Sequence, residues 1–209
     1  MSLRHFATLA AVAALGLLVL GSSSASATTV LRTDPGGGLL TGSTTIRNTT
    51  AGTAVFETSA GTITCNQTFF DADVDSNSGA TSITGRLTTL TFTSCTDTTL
   101  FLNFLDCTLH AASTPTVRIT GTAGGGTITL SDTVVRCAVG LTACYFTTVN
   151  ATGAAVNATS SIDLTASLTA VAPTTDAIPA GNCGSTAALT WRLTHIVSAT
   201  NATVTVTTS

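Results

Sequence analysis

Along most of the chain, threonine alternates with Val, Ile, Leu or Phe. The pattern recurs in GTITC (61–65), TLTFTSC (89–95), GTITLSD (126–132) and ATVTVTT (202–208). Successive side chains of a β-strand point to opposite faces, so the alternation places hydroxyls on one face and apolar groups on the other. Threonine is branched at Cβ, which disfavours a helix and suits a pleated strand. The pattern therefore predicts an all-β protein.

Joints rich in Gly and Asn separate these runs, among them NSG, AGGG, NATG and GNCG. Both residue types tolerate positive φ, as tight turns require. Many short strands at close spacing predict an antiparallel sandwich, with a β-barrel as the alternative. We expect one β domain over residues 41–209, preceded by a flexible lead over residues 28–40 that contains TDPGGG.

One strand changes its alternation. Ile83 and Leu87 share a parity, whereas Leu90 and Phe92 have the opposite one. A one-residue slip sends every later side chain to the other face of a sheet, and a β-bulge compensates for it. We therefore predict a bulge or turn near Thr88 and Thr89 that returns all four side chains to the core.

The first 27 residues have the features of a secretory signal peptide. A short basic start is followed by an apolar run over residues 6–20 and by the small-residue triplet Ala25-Ser26-Ala27. A retained membrane anchor is the alternative, because the run approaches the length that spans a bilayer. The segment predicts export and a secreted, extracellular location, with no transmembrane segment in the mature chain.

The cysteine content agrees with export, because six cysteines and no CxxC pair indicate three disulfides and not a metal site. The segment from Cys65 to Cys95 and the segment from Cys144 to Cys183 resemble each other as β units. This echo predicts one bridge within each unit and leaves Cys107 for Cys137. A competing map joins Cys137 to Cys144 across a tight turn and leaves Cys107 for Cys183.

Charged residues make up 8% of the chain, all seven basic residues are Arg, and the net charge is −3. Such a surface lacks the positive potential that nucleic acids or anionic membranes require. The densest charged stretch is DADVDSNSG (71–79). Asp71, Asp73 and Asp75 match the first three ligands of a calcium loop, but Ser76 and Ser82 replace its Gly and Glu. We expect a solvated strand face, with a weak calcium site as the alternative.

Catalytic groups are sparse. Two histidines follow the signal segment, His110 and His195, and no GxSxG elbow occurs. Alternation places His195 with Trp191 and Leu193 at the edge of the core. The sequence therefore predicts no enzyme and no cofactor. A hydrolase would require His110, Asp106 and a Ser together in one cleft.

Several stretches resemble a known group of proteins. GTITC, LTFTSC and TWRLTHIVSATNATVTVTT are similar to segments of Thr-rich, cysteine-paired exported β proteins from high-GC Gram-positive bacteria. The absence of Lys fits such a genome. The resemblance runs from about residue 61 to the last residue, and it implies no activity and no site residue.

These observations predict an exported, non-catalytic protein with a structural or binding role at or outside the cell surface. Its partner is unknown, and a cell-surface polymer or protein is possible. One alternative is a Thr-ladder module that binds a repetitive surface such as polysaccharide or ice, and a secreted hydrolase is the less favoured one. Regular spacing of outward Thr on neighbouring strands would favour the ladder.

Overall fold

The structure is a computed structural model that describes residues 27–33, 37–40, 42–59, 61–75, 80–97, 104–111, 113–139, 142–170 and 184–208. These residues form strands and one 3-10 turn, Asn157–Thr159, and the all-β prediction is confirmed. The strands are β1 (Thr29–Arg32), β2 (Thr44–Thr58), β3 (Gly61–Val74), β4 (Ile83–Asp97), β5 (Phe104–Leu109), β6 (Thr116–Thr122), β7 (Gly125–Val139), β8 (Thr142–Val156), β9 (Ser161–Ala170), β10 (Thr186–Ser198) and β11 (Thr205–Thr208).

Strands β2 to β10 close into an eight-stranded antiparallel barrel, which is the alternative architecture of the two predicted. Neighbours in sequence are neighbours in the wall, with β5 and β6 sharing one position between β4 and β7. The wall closes where β10 pairs with β2. Closure gives each long strand a hydrogen-bonding neighbour on both sides, so the unpaired edges that a sandwich leaves are avoided.

Large side chains fill the interior of the barrel. Phe56, Phe70, Phe92 and Phe146 are all fully buried, and Trp191 is 3% exposed. The ring of Phe92 lies edge-on to Phe56 at 5.1 Å and to Trp191 at 5.4 Å between centroids. An eight-stranded barrel is just wide enough for side chains to fill it. The space inside the wall is therefore a packed core, apart from a mostly apolar cavity of about 30 Å³ near β1 and β11, which is too small for a ligand larger than water.

The predicted bulge in β4 is present. Asp71 of β3 pairs with Thr89, and the next residue, Ala72, pairs with Leu87, so Thr88 is the extra residue. Its hydroxyl donates to the carbonyl oxygen of Asp71 at 3.1 Å. Leu87 and Leu90 are buried on either side of the bulge. The change of parity in the sequence thus marks a real bend in the wall.

Two disulfides lie inside the barrel. Cys65–Cys95 joins β3 to β4, and Cys107–Cys137 joins β5 to β7. Both belong to the first predicted map, and the second bridge excludes the competing one. Cys144 of β8 is also disulfide-bonded, and it lies directly across from Cys137. Its predicted partner, Cys183, lies outside the described residues.

A two-stranded sheet of β1 and β11 packs at one end of the barrel. Leu31 of β1 is 1% exposed, and the Thr29 hydroxyl donates to Thr81 O at 2.6 Å and accepts from Gly121 N at 2.8 Å. The prediction of a flexible lead over residues 28–40 is therefore wrong for Thr29–Arg32. The partner of β1 lies at the other end of the sequence, so no local pattern reveals the pairing.

Residues 1–26, which hold nearly all of the predicted signal segment, lie outside the described residues. Among the residues that are described, no helix has the length and apolar character needed to cross a membrane.

Candidate functional site

The three aspartates of β3 lie on the outer face of the barrel. Asp73 and Asp75 are exposed and Asp71 is half-buried. The residues that alternate with them, Phe70, Ala72 and Val74, are buried. The strand alternation that was predicted for this stretch is therefore present. Outward carboxylates at every second position face solvent because β3 is part of a closed wall with a filled interior.

Arginines of the neighbouring strands stand across from two of these aspartates. Arg47 of β2 is the register partner of Asp71, and Arg86 of β4 is the register partner of Asp73. Asp73 also accepts a hydrogen bond from the Thr45 hydroxyl. These arginines add positive charge to the same face, which disfavours a bound cation, although the Arg47 guanidinium itself donates to Ala199 O and Asn201 Oδ1. The geometry therefore adds nothing in support of a calcium site, and weak or absent binding stays a prediction.

Among the described His, Cys, Asp and Glu side chains, Cys65, Cys95 and Cys107 are near enough to share a metal ion. All three sulfurs are buried and belong to disulfides. A disulfide sulfur is not a thiolate, and the thiolate is the metal ligand. In the oxidised protein this group is a structural layer of the core.

His110 follows β5 and packs against an aromatic ring. Its imidazole lies edge-on to the Tyr145 ring, with centroids 5.6 Å apart. The nearby serine, Ser113, is buried, donates to Asp132 O at 2.9 Å and accepts from Val134 N at 3.0 Å. This hydroxyl is committed to the backbone of β7, so it does not have the geometry of an activated nucleophile.

His195 does not lie at the edge of the core. Trp191 and Leu193 are buried as the alternation predicts, but His195 is exposed. The register of β10 against β2 shifts between Arg192 and Thr194, and His195 itself has φ of 54°. The irregularity breaks the alternation and turns the imidazole out to solvent, so the predicted placement of His195 is wrong.

A polar groove of about 490 Å³ lies on the outer wall over β4, β6 and β7, and we call it the first depression. Asp75 and Arg118 are its charged residues. The Ser131 hydroxyl donates to Asn150 Oδ1 at 2.8 Å on its floor. Its lining comprises Asp75, Thr84, Gly85, Thr116, Val117, Arg118, Thr129, Ser131 and Asn150. Its volume is within the range of small-molecule sites, although its lining is more polar than most.

A second, smaller depression of about 190 Å³ lies on the outer wall over β2, β9 and β10. Thr53, Thr165 and Thr190 provide hydroxyls there. Arg192 Nε lies 3.4 Å from Asp163 Oδ1, with both side chains half exposed. An ion pair this exposed contributes little to stability, so its value to the fold is small.

One row of outward side chains connects the two depressions. Each member is the register partner of the next on the neighbouring strand, and five of the six members are threonines. We call it the threonine row: Thr84, Arg118, Thr129, Thr152, Thr165 and Thr190, on strands β4 and β6 to β10. Neighbouring strands are about 4.7–4.9 Å apart, so hydroxyls recur at nearly that spacing from Thr129 to Thr190.

The row follows a curved wall. Eight strands complete a full turn, so successive members face successive directions. A rigid planar surface, such as an ice face, could contact only a few neighbouring members at once. A flexible chain could follow the curve. Regular outward Thr on adjacent strands is therefore present, as the ladder hypothesis requires, but the wall that carries these residues is curved.

Sequence reasoning did not identify Arg118, Asn150 or Arg192 as parts of a site. Each is separated from its neighbours in the wall by a full strand or more of sequence, and only the register brings them together. For adjacent hairpins a signal does exist. Thr152 and Thr165 lie at nearly equal distances from the turn after Val156, which is the condition for cross-strand pairing.

Comparison with known proteins adds no further constraint. No protein-family model matches the chain, and neither a curated protein nor a solved structure matches it.

Proposed function

We propose that this chain is an exported, non-catalytic binding protein that acts at or outside the cell surface and binds a hydroxyl-rich polymer through its outer wall. The observation that carries the proposal is the threonine row, which aligns four hydroxyls in register on the neighbouring strands β7 to β10 and a fifth, Thr84, beyond Arg118.

The interior of the barrel is filled by side chains, so we place recognition on the outer wall. Barrels that carry small ligands hold them in a lumen, but here Phe56, Phe92 and Trp191 occupy that space. Each Thr hydroxyl is one donor and two acceptors, and so is each hydroxyl of a sugar ring. A row of such groups is complementary to a polymer that repeats the same chemistry.

Export is supported by chemistry of two kinds. The features of residues 1–27 are those of a secretory signal, and the oxidised bridges Cys65–Cys95 and Cys107–Cys137 are typical of an oxidising compartment. Residues 1–27 fused to a reporter enzyme that lacks an export signal of its own should deliver the reporter to the medium. A reporter that stays inside the cell would remove this part of the proposal.

The binding proposal is tested by co-sedimentation of the purified, oxidised protein with insoluble polysaccharides: cellulose, chitin and isolated bacterial cell walls. We expect loss of protein from the supernatant with at least one of them. The double variant Thr152→Val/Thr165→Val should reduce the loss, because valine keeps the shape and strand preference of threonine but removes the hydroxyl.

Thr120→Val is the matched control. Thr120 is an exposed threonine of β6 that belongs neither to the row nor to the lining of either depression. Its variant should sediment like the unmodified protein. If the protein stays in the supernatant with every polysaccharide, polymer binding is refuted. If the Thr152→Val/Thr165→Val protein and the Thr120→Val protein sediment equally, binding occurs away from the row.

A further inference from the structure

We infer that the two depressions are the two ends of one binding path for a single flexible, uncharged polysaccharide chain, held at both ends at once. This inference rests on the proposed function and specifies its ligand and its mode of binding.

The two depressions offer the same set of groups. The first has the carboxylate of Asp75, the guanidinium of Arg118 and several hydroxyls. The second has the carboxylate of Asp163, the guanidinium of Arg192 and several hydroxyls. Charged residues make up only 8% of the chain, yet each depression holds one acid and one arginine. Charged residues are therefore more frequent in the two depressions than in the chain as a whole.

The pairing of charges indicates the chemical class of the ligand. A carboxylate only accepts hydrogen bonds and a guanidinium only donates them, whereas a sugar hydroxyl does both. Each depression contains one of each and is close to electrically neutral. Such a depression has no net charge with which to attract a polyanion or a polycation. An uncharged chain rich in hydroxyls can bond both kinds of group, through the donor and acceptor positions that the Arg192–Asp163 ion pair and the Arg118–Ser82 hydrogen bond leave open.

The threonine row provides the path between the ends. Arg118 and Thr129 lie in the first depression and Thr165 in the second, and Thr152 lies between them in register. Two interstrand steps separate Thr129 from Thr165, which is about 9–10 Å along the wall and is the shortest span between the depressions. A chain shorter than this span can occupy one depression but not both.

Attachment at two ends compensates for weak binding at each. Sugar sites often stack the ring on an aromatic side chain, but Trp191 and Tyr145 are buried. The charged groups of each depression are exposed, and water weakens their interactions. A ligand held at the first end meets the second at a high effective concentration, so its overall affinity exceeds that of either end.

The experiment is a chain-length series. Uncharged oligosaccharides of increasing length, prepared from the polysaccharide that co-sediments, are titrated into the protein by calorimetry. We expect weak binding of the shortest members and a rise of at least about tenfold once the length exceeds the span. Arg118→Gln and Arg192→Gln should each abolish that rise while the weak binding of short members persists at the unaltered depression.

Arg86→Gln is the matched control, since it makes the same chemical change on the outer wall of β4 outside the lining of both depressions. It should leave the length dependence intact. Asp163→Asn gives an independent variant of the second depression and should act like Arg192→Gln. Circular dichroism and melting of each variant establish that the barrel is folded.

Two results would overturn the inference and leave the proposed function standing: an affinity that does not rise with length, or a rise that only one of the two arginine variants removes. Either result would mean that one depression suffices. Failure of every polysaccharide to bind would overturn both.

Discussion

Removal of the Cys65–Cys95 bridge is the sharpest test of how this barrel is stabilised. The bridge joins two neighbouring strands at residues 30 positions apart, and both cysteines are buried. In the double variant Cys65→Ala/Cys95→Ala, the folded wall keeps its β3–β4 hydrogen bonds. The unfolded chain, by contrast, gains the freedom that the closed loop had denied it.

The separation of 30 sets the magnitude. In the chain-entropy model a loop of this length corresponds to about 12 cal/mol/K, or about 3.6 kcal/mol at 25 °C. The loss of two buried sulfur atoms adds about 1–2 kcal/mol for the space left behind. The total of about 5 kcal/mol should lower the melting temperature by roughly 10–20 °C in a protein of this size.

Urea unfolding of the oxidised protein measures the effect. The m-value should rise in the variant, because an unfolded chain without the bridge exposes more surface. Ile63→Val is the control: it removes one methyl group from the same buried face of β3 and should cost about 0.5–1.5 kcal/mol with an unchanged m-value. A loss below about 2 kcal/mol with an unchanged m-value would refute the entropic reasoning.

Three further predictions concern single residues. Gly85→Ala should destabilise the barrel by about 1–3 kcal/mol in urea unfolding, because the added Cβ would lie 2.2 Å from the carbonyl oxygen of Asp73; unchanged stability would contradict the close approach. Asn48→Ala should cost at least about 2 kcal/mol by the same assay, since Nδ2 donates to Thr68 O and Oδ1 accepts from Phe70 N in the core; a smaller cost would mean that water replaces both bonds. Asp73→Asn should leave calcium binding undetectable or equally weak in calorimetry, and a micromolar site lost in this variant would show that calcium does bind there.

Alternation within a strand was readable from the sequence because it depends only on neighbouring residues. The buried and exposed positions of β3 follow from FFDADV alone, as the burial of Phe70, Ala72 and Val74 shows. The bulge at Thr88 was readable for the same reason, since two apolar runs of opposite parity met there. The Cys65–Cys95 bridge followed from a longer-range but still sequential feature, the similarity of two β units, and Cys107–Cys137 followed by elimination.

Closure of the barrel was not readable, because it depends on the pairing of β10 with β2 across most of the sequence. The pairing of β1 with β11 is even less local. His195 shows how such distant pairing also changes a local prediction. Its alternation with Leu193 holds only until the register of β10 against β2 shifts, and that shift is set by a strand almost 150 residues earlier.

The outer wall is where the residues of this chain are freest to serve function. Thr suits a strand at any outward position, so the threonines alone do not distinguish a binding surface from a wall that is merely folded. Outward positions that hold another residue in place of Thr are more indicative of function. Arg118 and Arg192 are exposed and contribute little to the stability of the fold. Both lie in depressions, each depression holds an aspartate as well, and one register row connects them. Two similar placements on separate parts of the wall are hard to attribute to the demands of the fold, which is why binding is sought there and not in the filled interior.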